Sequence, residues 1–271
     1  MFEMPILRAT PATLDFLIDA VNRDVSQEIT LKSKINVFRE GKNLTSNLDL
    51  KSGEHWFRPL VKTLVANSFS LIVNDITLSQ PACVELQAIT GIPSNWVFQQ
   101  NLYITPPDVP GFSPHCDVHT VIVVQLFGQK EWFIYNRIEE NPVRGQKGQE
   151  SKISQKITSS DIFRKFLLKT GEIFVIPRGV YHSACAAGVA SVHLAIGCAG
   201  IRPIDHIWAI AEEALKNPDL RADYNPVDAS KLAEDYLKKV TLSELFLPRV
   251  EQKKRNYPSP KPKLCFEKEL S

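Results

Sequence analysis

Between residues 96 and 197 the chain repeats one local pattern: short β-branched or aromatic runs, most of them bounded by Gly or Pro. The runs are 96–105, 118–126, 130–135, 171–177 and 190–197. Runs of this length and composition, bounded by turn residues, read as strands. No helical periodicity separates them. Successive short strands without intervening helices predict an antiparallel barrel or jelly roll.

The flanks have a different period. Thr10-Pro11 opens a helix, with Thr10 as N-cap and Leu14, Leu17, Ile18 and Val21 on one face. Residues 57–67 read as a helix, 69–74 as a strand, and 81–90 as a second helix stopped by Gly91 and Pro93. Residues 25–55 show only short alternating apolar and polar runs with turns. Beyond Ile204 the helical period returns, with Ile207, Ile210, Ala211 and Leu215 on one face and Leu232, Ala233, Tyr236 and Leu237 on another. Asp228 is the expected cap of the last helix. The polar stretch 136–160 reads as a long excursion from the barrel, either substrate-holding or a surface insertion. The expected division is a main unit over 1–203, a helical segment over 204–250 and a polar tail over 251–271, partly disordered from Lys253.

Composition narrows the class. A net charge of +2 over 271 residues does not call for nucleic acid or an anionic membrane. No apolar run approaches the roughly 18 residues of a membrane span. The start, Met1-Phe2-Glu3-Met4-Pro5, lacks the basic and apolar stretches of a secretory signal. Five scattered cysteines without a CxxC pair suggest neither a zinc site nor a disulfide framework. The expected compartment is the reducing cytoplasm.

The chemistry-bearing feature is His115-Cys116-Asp117, answered 65 residues after Asp117 by His182 in PRGVYH. On a strand, His115 and Asp117 point to one side, and a His from a later strand completes a three-ligand face. Two His and one carboxylate with open positions suit a non-haem Fe(II) oxygenase. The alternative is a hydrogen-bonded surface pair that binds nothing. His119, two residues beyond Asp117, reads as a substrate-pocket residue or a fourth ligand. His193 reads as a hydrogen-bonded core histidine, Cys116 as a packing residue, and Trp132 and Phe133 as barrel wall. Arg178, in the turn before His182, is expected to bond backbone.

Residues 101–135, NLYITPPDVPGFSPHCDVHTVIVVQLFGQKEWFIY, carry N-x-Tyr-x-T-P-P, G-F-x-P-H-x-D and Q-L-x-G-x-K-x-W segments, and residues 171–182 add G-E-x-x-x-I-P-R-G-x-x-H. Together they resemble the Jumonji-C branch of the cupin superfamily, in particular its ribosomal-oxygenase group. The resemblance spans roughly residues 70–200. It implies a mainly β fold with flanking helices (α+β), a double-stranded β-helix (jelly-roll/cupin) core and a C-terminal helical segment. It implies an Fe(II) site on His115, Asp117 and His182 and a 2-oxoglutarate site in which Lys130 pairs with the far carboxylate, Tyr103 bonds the same carboxylate and Asn101 lines the pocket. A buried dicarboxylate needs such partners, because an unpaired buried charge is costly.

The implied activity is O2-dependent hydroxylation of an unactivated C–H bond in a peptide or protein side chain, with succinate and CO2 as co-products. The alternative is the same chemistry on a small metabolite. A non-catalytic metal-binding cupin and a histone-lysine demethylase are weaker readings. The stretch after the barrel accommodates two helices but hardly a further domain. That turns the expectation from a ribosomal protein towards a smaller peptide, a biosynthetic precursor or an amino-acid-like molecule. The apolar helical faces suggest a homodimer; the other reading packs them on the barrel wall.

Overall fold

The structure is a computed structural model that describes residues 4–27, 31–39, 42–45, 56–143, 157–239 and 264–270. It divides into two compact units, residues 1–199 with 256–271, and residues 200–255.

The first unit contains two antiparallel sheets. The strands are β1 (Ile6–Arg8), β2 (Ile35–Arg39), β3 (Lys42–Asn43), β4 (Ser70–Val73), β5 (Val97–Thr105), β6 (Thr120–Phe127), β7 (Gln129–Ile138), β8 (Ile162–Lys169), β9 (Glu172–Ile176), β10 (Val180–Ala186) and β11 (Ser191–Cys198). The large sheet runs β1-β9-β6-β11-β5-β4-β2-β3 and the small one β10-β7-β8. This is the jelly-roll-like, mainly β architecture expected.

Alternation along the central strands sorts their residues into two environments. Leu102 and Ile104 of β5, Ile122 and Val124 of β6, and Val192, Leu194 and Ile196 of β11 are buried in one apolar cluster. That cluster includes Leu17 and Val21 of α1 (Pro11–Ser26), Val61 and Leu64 of α2 (Phe57–Ala66), and Ala82 and Leu86 of α3 (Gln80–Thr90). The intervening residues (Asn101, Tyr103, Thr105, Val121, Val123, His193, Ala195 and Gly197) face a cavity instead. A one-residue slip in register would exchange the two sets, so burial of the helix-side set holds the site-side set in place.

Local chemistry sets the element ends as expected. Thr10 Oγ1 accepts from the Thr13 N–H at 3.1 Å, and Gly91 closes α3 in the left-handed conformation at φ 72°. The β6–β7 turn needs Gly128: its φ is 64°, and a Cβ there would lie 1.9 Å from the Ala190 carbonyl oxygen.

Several expectations are corrected. β8 and β10 are strands that the sequence reading did not place, and so is β2 within the 25–55 region. β6 begins at Thr120, not at 118. β7 runs on to Ile138, into the stretch read as an excursion, of which residues 144–156 lie outside the described residues. The C-terminal residues 264–270 are not a solvated tail: Leu264, Phe266 and Leu270 are buried in the helix-side cluster. The Phe266 ring meets Phe57 edge-on at 5.6 Å.

The second unit contains α4 (Pro203–Ala214) and α5 (Pro226–Lys239), and neither helix buries a residue. Asn225, not Asp228, caps α5: its Oδ1 accepts from the N–H groups of Val227 and Asp228, both at 3.1 Å. No helix among the described residues is long and apolar enough to cross a membrane.

Phe266→Ala is expected to cost about 3–5 kcal/mol of stability, the usual range for a fully buried Phe. Urea denaturation of wild type and variant checks this; a loss under 1 kcal/mol would mean that residues 264–270 do not pack as described.

Candidate functional site

The segment between β5 and β6 carries Pro106, Pro107, Pro110 and Pro114. Proline has no N–H to give a ladder, so the segment forms no regular strand, contrary to the expectation for His115 and Asp117. It is tied to β10 by scattered backbone bonds instead. Ala186 N–H donates to Val109 at 3.2 Å, Gly111 N–H to Ala184 at 2.8 Å, and His115 and His182 exchange bonds at 3.0 and 2.8 Å. Gly179 N–H, in the turn before β10, donates to the Asp117 carbonyl at 2.9 Å. These ties bring together side chains far apart in sequence.

His115, Asp117 and His182 offer ligand atoms within 4.8 Å of one another. His182 Nε2 lies 3.5 Å from Asp117 Oδ2. His182 Nδ1 is 3.0 Å from the Val180 carbonyl and His115 Nδ1 is 2.8 Å from the Ser113 carbonyl. A carbonyl only accepts, so each Nδ1 carries the proton and each Nε2 lone pair is left for a metal. Burial, and next the neighbouring His115, push the His182 pKa down to about 4, so this imidazole is neutral at pH 7.

The three groups form one wall of a cavity of about 220 Å³ that also contains Lys130, Tyr103 and Asn101. Lys130 is 3% exposed. Its Nζ donates to Thr105 Oγ1 at 3.0 Å, and among the described residues it forms no ion pair. Burial pushes its pKa down to about 8. Tyr103 is pushed up to about 12, by burial first and then by the Asp117 charge, so its hydroxyl keeps its proton. Asn101 Oδ1 accepts from the Asp75 N–H at 3.3 Å. All six expected site residues therefore meet at one cavity.

The remaining readings fare unevenly. His119 lines the cavity and its ring meets Phe98 edge-on at 5.0 Å; it is not part of the ligand cluster. His193 is buried as expected, but it faces the cavity and its Nδ1 has no hydrogen-bond partner among the described residues. Trp132 points inward, whereas Phe133 turns outward under Lys165, whose Nζ is 5.4 Å from the ring centroid. Arg178 bonds the Asn141 side chain, not backbone. Thr105, the residue holding Lys130, was missed; its place two residues beyond Tyr103 on the same face of β5 is the signal that finds it.

Comparison with known proteins agrees with this geometry. Residues 82–203 match the family model described as the JmjC domain. Over these 122 of its 271 residues the chain is similar to a JmjC domain. Its curated relatives include the Dictyostelium discoideum "Bifunctional lysine-specific demethylase and histidyl-hydroxylase NO66", 34% identical over 97 residues, which are 35% of this chain and 18% of the relative. "Ribosomal oxygenase 1" of Danio rerio is 35% identical over 101 residues, again 35% of this chain and 18% of that protein. The chain thus aligns with about a fifth of these relatives' length. The structure of E. coli ycfD superposes with a TM-score of 0.51 at 17% identity, covering 87% of this chain and 64% of that one, a likeness of fold. The JmjC match ends at residue 203, where α4 begins.

Lys130 makes the domain's ligand-free stability depend on pH. The folded chain releases this proton near pH 8 and the unfolded chain near the ordinary 10.5. The unfolded state binds more protons in between, so stability rises from pH 8 to 10.5 relative to a chain without the lysine. Lys130→Met is expected to raise Tm at pH 7 and to flatten that rise. An unchanged Tm-against-pH curve in the variant would show that Lys130 carries no burial cost.

Proposed function

We propose that this protein is an Fe(II)- and 2-oxoglutarate-dependent oxygenase that hydroxylates a C–H bond of a peptide or protein side chain. The observation that carries the reading is the buried ammonium of Lys130, without an ion-pair partner among the described residues, in the same cavity as the His115–Asp117–His182 cluster. A buried cation without a counter-charge is costly, and a carboxylate guest removes that cost. The donor set fits the metal: two imidazoles whose Nδ1 atoms face carbonyls, leaving Nε2 for a ligand, and one carboxylate are the face that non-haem Fe(II) oxygenases use.

In this reading His115, Asp117 and His182 hold Fe(II). Lys130 Nζ takes the far carboxylate of 2-oxoglutarate, Tyr103 donates its phenolic proton to the same end, and Asn101 borders the pocket. Bound together, metal and keto acid would supply O2 activation, with succinate and CO2 as co-products. The chain's own contribution is placement and dryness. Val180 and Ser113 carbonyls keep the two imidazole rings in the metal-facing tautomer. Trp132 and the inward faces of β6 and β11 restrict water around the reacting centre.

A protein substrate is favoured because the relatives named above are a histidyl-hydroxylase and a ribosomal oxygenase. A cytoplasmic setting is in keeping with five free cysteines. Pairing of two copies through the second unit is also part of this reading, since Ile207, Leu215, Val227 and Leu237 there are 57–77% exposed.

Anaerobic addition of Fe(II) and then 2-oxoglutarate to metal-free protein is expected to give a visible charge-transfer band. His182→Ala should abolish it. Lys130→Ala should raise the 2-oxoglutarate needed by roughly ten- to a hundredfold, the worth of about 1.5–3 kcal/mol for a bond to a charged group. Metal binding without a band in the wild type would sink the assignment. Sedimentation should show a dimer that Leu215→Glu with Leu237→Glu converts to monomer; a wild-type monomer rules the pairing out.

A further inference from the structure

The proposed chemistry leaves one buried imidazole without a task. His193 lies mid-strand in β11, directly across from Tyr103 of β5. It is 3% exposed. Its ring lies flat on the Tyr103 ring, with centroids 4.8 Å apart and planes at 11°. Trp132 meets it edge-on at 5.8 Å. Packing alone does not require a histidine here.

Two polar atoms on this wall are unmatched. His193 Nδ1 and Trp132 Nε1 are both buried without a hydrogen-bond partner among the described residues. Folded proteins leave few such groups, because each has lost its water and received nothing in return. Indole nitrogen can only donate, and a neutral imidazole offers one donor and one acceptor. Burial, and then the Lys130 charge, keep His193 neutral. Beside the Lys130 ammonium, this wall is therefore rich in donors and poor in acceptors. A guest that satisfies it brings several acceptor lone pairs at one end, and a carboxylate brings about four.

We propose that His193, with Trp132 beside it, completes the pocket for the far carboxylate of the keto acid by donating a hydrogen bond alongside Lys130. This rests on the 2-oxoglutarate reading of the site. In the pure packing role, His193 would only support the Tyr103 ring. The two roles separate by substitution. His193→Phe keeps an aromatic ring on Tyr103 and removes the donor; His193→Asn keeps a donor near the Nδ1 position and removes the ring.

The charge-transfer titration under anaerobic Fe(II) reads both. His193→Phe is expected to need at least tenfold more 2-oxoglutarate for half of the band, with Fe(II) affinity and band position unchanged. His193→Asn should stay within about threefold of wild type, as expected when the retained donor makes most of the bond. With 2-oxobutanoate, which has the keto acid end but no far carboxylate, wild type and His193→Phe should be equal. Should His193→Phe not fold, His193→Leu is read in its place. A wild-type titration in His193→Phe overturns the proposal and leaves the packing role. So does an equal loss in the Phe and Asn variants, or an equal loss with 2-oxobutanoate. A wild type that gives no band at all overturns the 2-oxoglutarate reading, and this proposal with it.

Discussion

The site depends on a pair of backbone hydrogen bonds between His115 and His182, at 3.0 and 2.8 Å. His115 lies in a proline-rich connection that forms no strand, and His182 lies in β10 of the small sheet. This exchange holds the first ligand group beside the third. The Gly179 bond to the Asp117 carbonyl extends the tie by one more point. Each neutral amide bond contributes about 1 kcal/mol net. Several in a row are needed to hold such a segment still, and they continue to Gly111 and Val109.

Within that frame the electrostatics divide by depth. Asp117 is partly exposed while Lys130 is almost fully covered. Water can screen the carboxylate but not the ammonium. The cluster that would take a cation therefore stands nearer to solvent than the cation that would take an anion. His182, His193 and Tyr103 are all driven towards their neutral forms by burial. The cavity thus holds its charge at two places and supplies neutral hydrogen-bonding groups between them. A guest with one chelating end and one anionic end matches this order.

Stability and site share the same strands. Leu102, Ile104, Ile122, Val124, Val192, Leu194 and Ile196 share one apolar cluster with residues of α1, α2 and α3, while their neighbours Tyr103, Val123, His193 and Ala195 line the cavity. The apolar side supplies the burial that the polar side lacks, since the cavity face carries an unpaired cation and orphaned nitrogens. Residues 264–270 add to the apolar side through Phe266 on Phe57.

Much of this was legible in the sequence. β-branched runs with Gly turns marked β5, β6, β7, β9 and β11, and Thr10-Pro11 and Gly91 marked helix ends, because these signals are local. β10 escaped notice because Ser183, Ala184 and Cys185 blur its alternation, and β8 because Arg164 and Lys165 interrupt its apolar residues. The six expected site residues do meet at one cavity, although His115 and Asp117 are placed by ties to β10 and Gly179 and not by a strand of their own. Three matters were decided only by the tertiary structure: the burial of Lys130 with Thr105 as its described hydrogen-bond partner, the unmatched nitrogens of His193 and Trp132, and the return of Phe266 to the core. Each depends on contacts between residues distant in the chain. Residue type determines what a side chain can donate or accept, and only packing determines whether a partner is there.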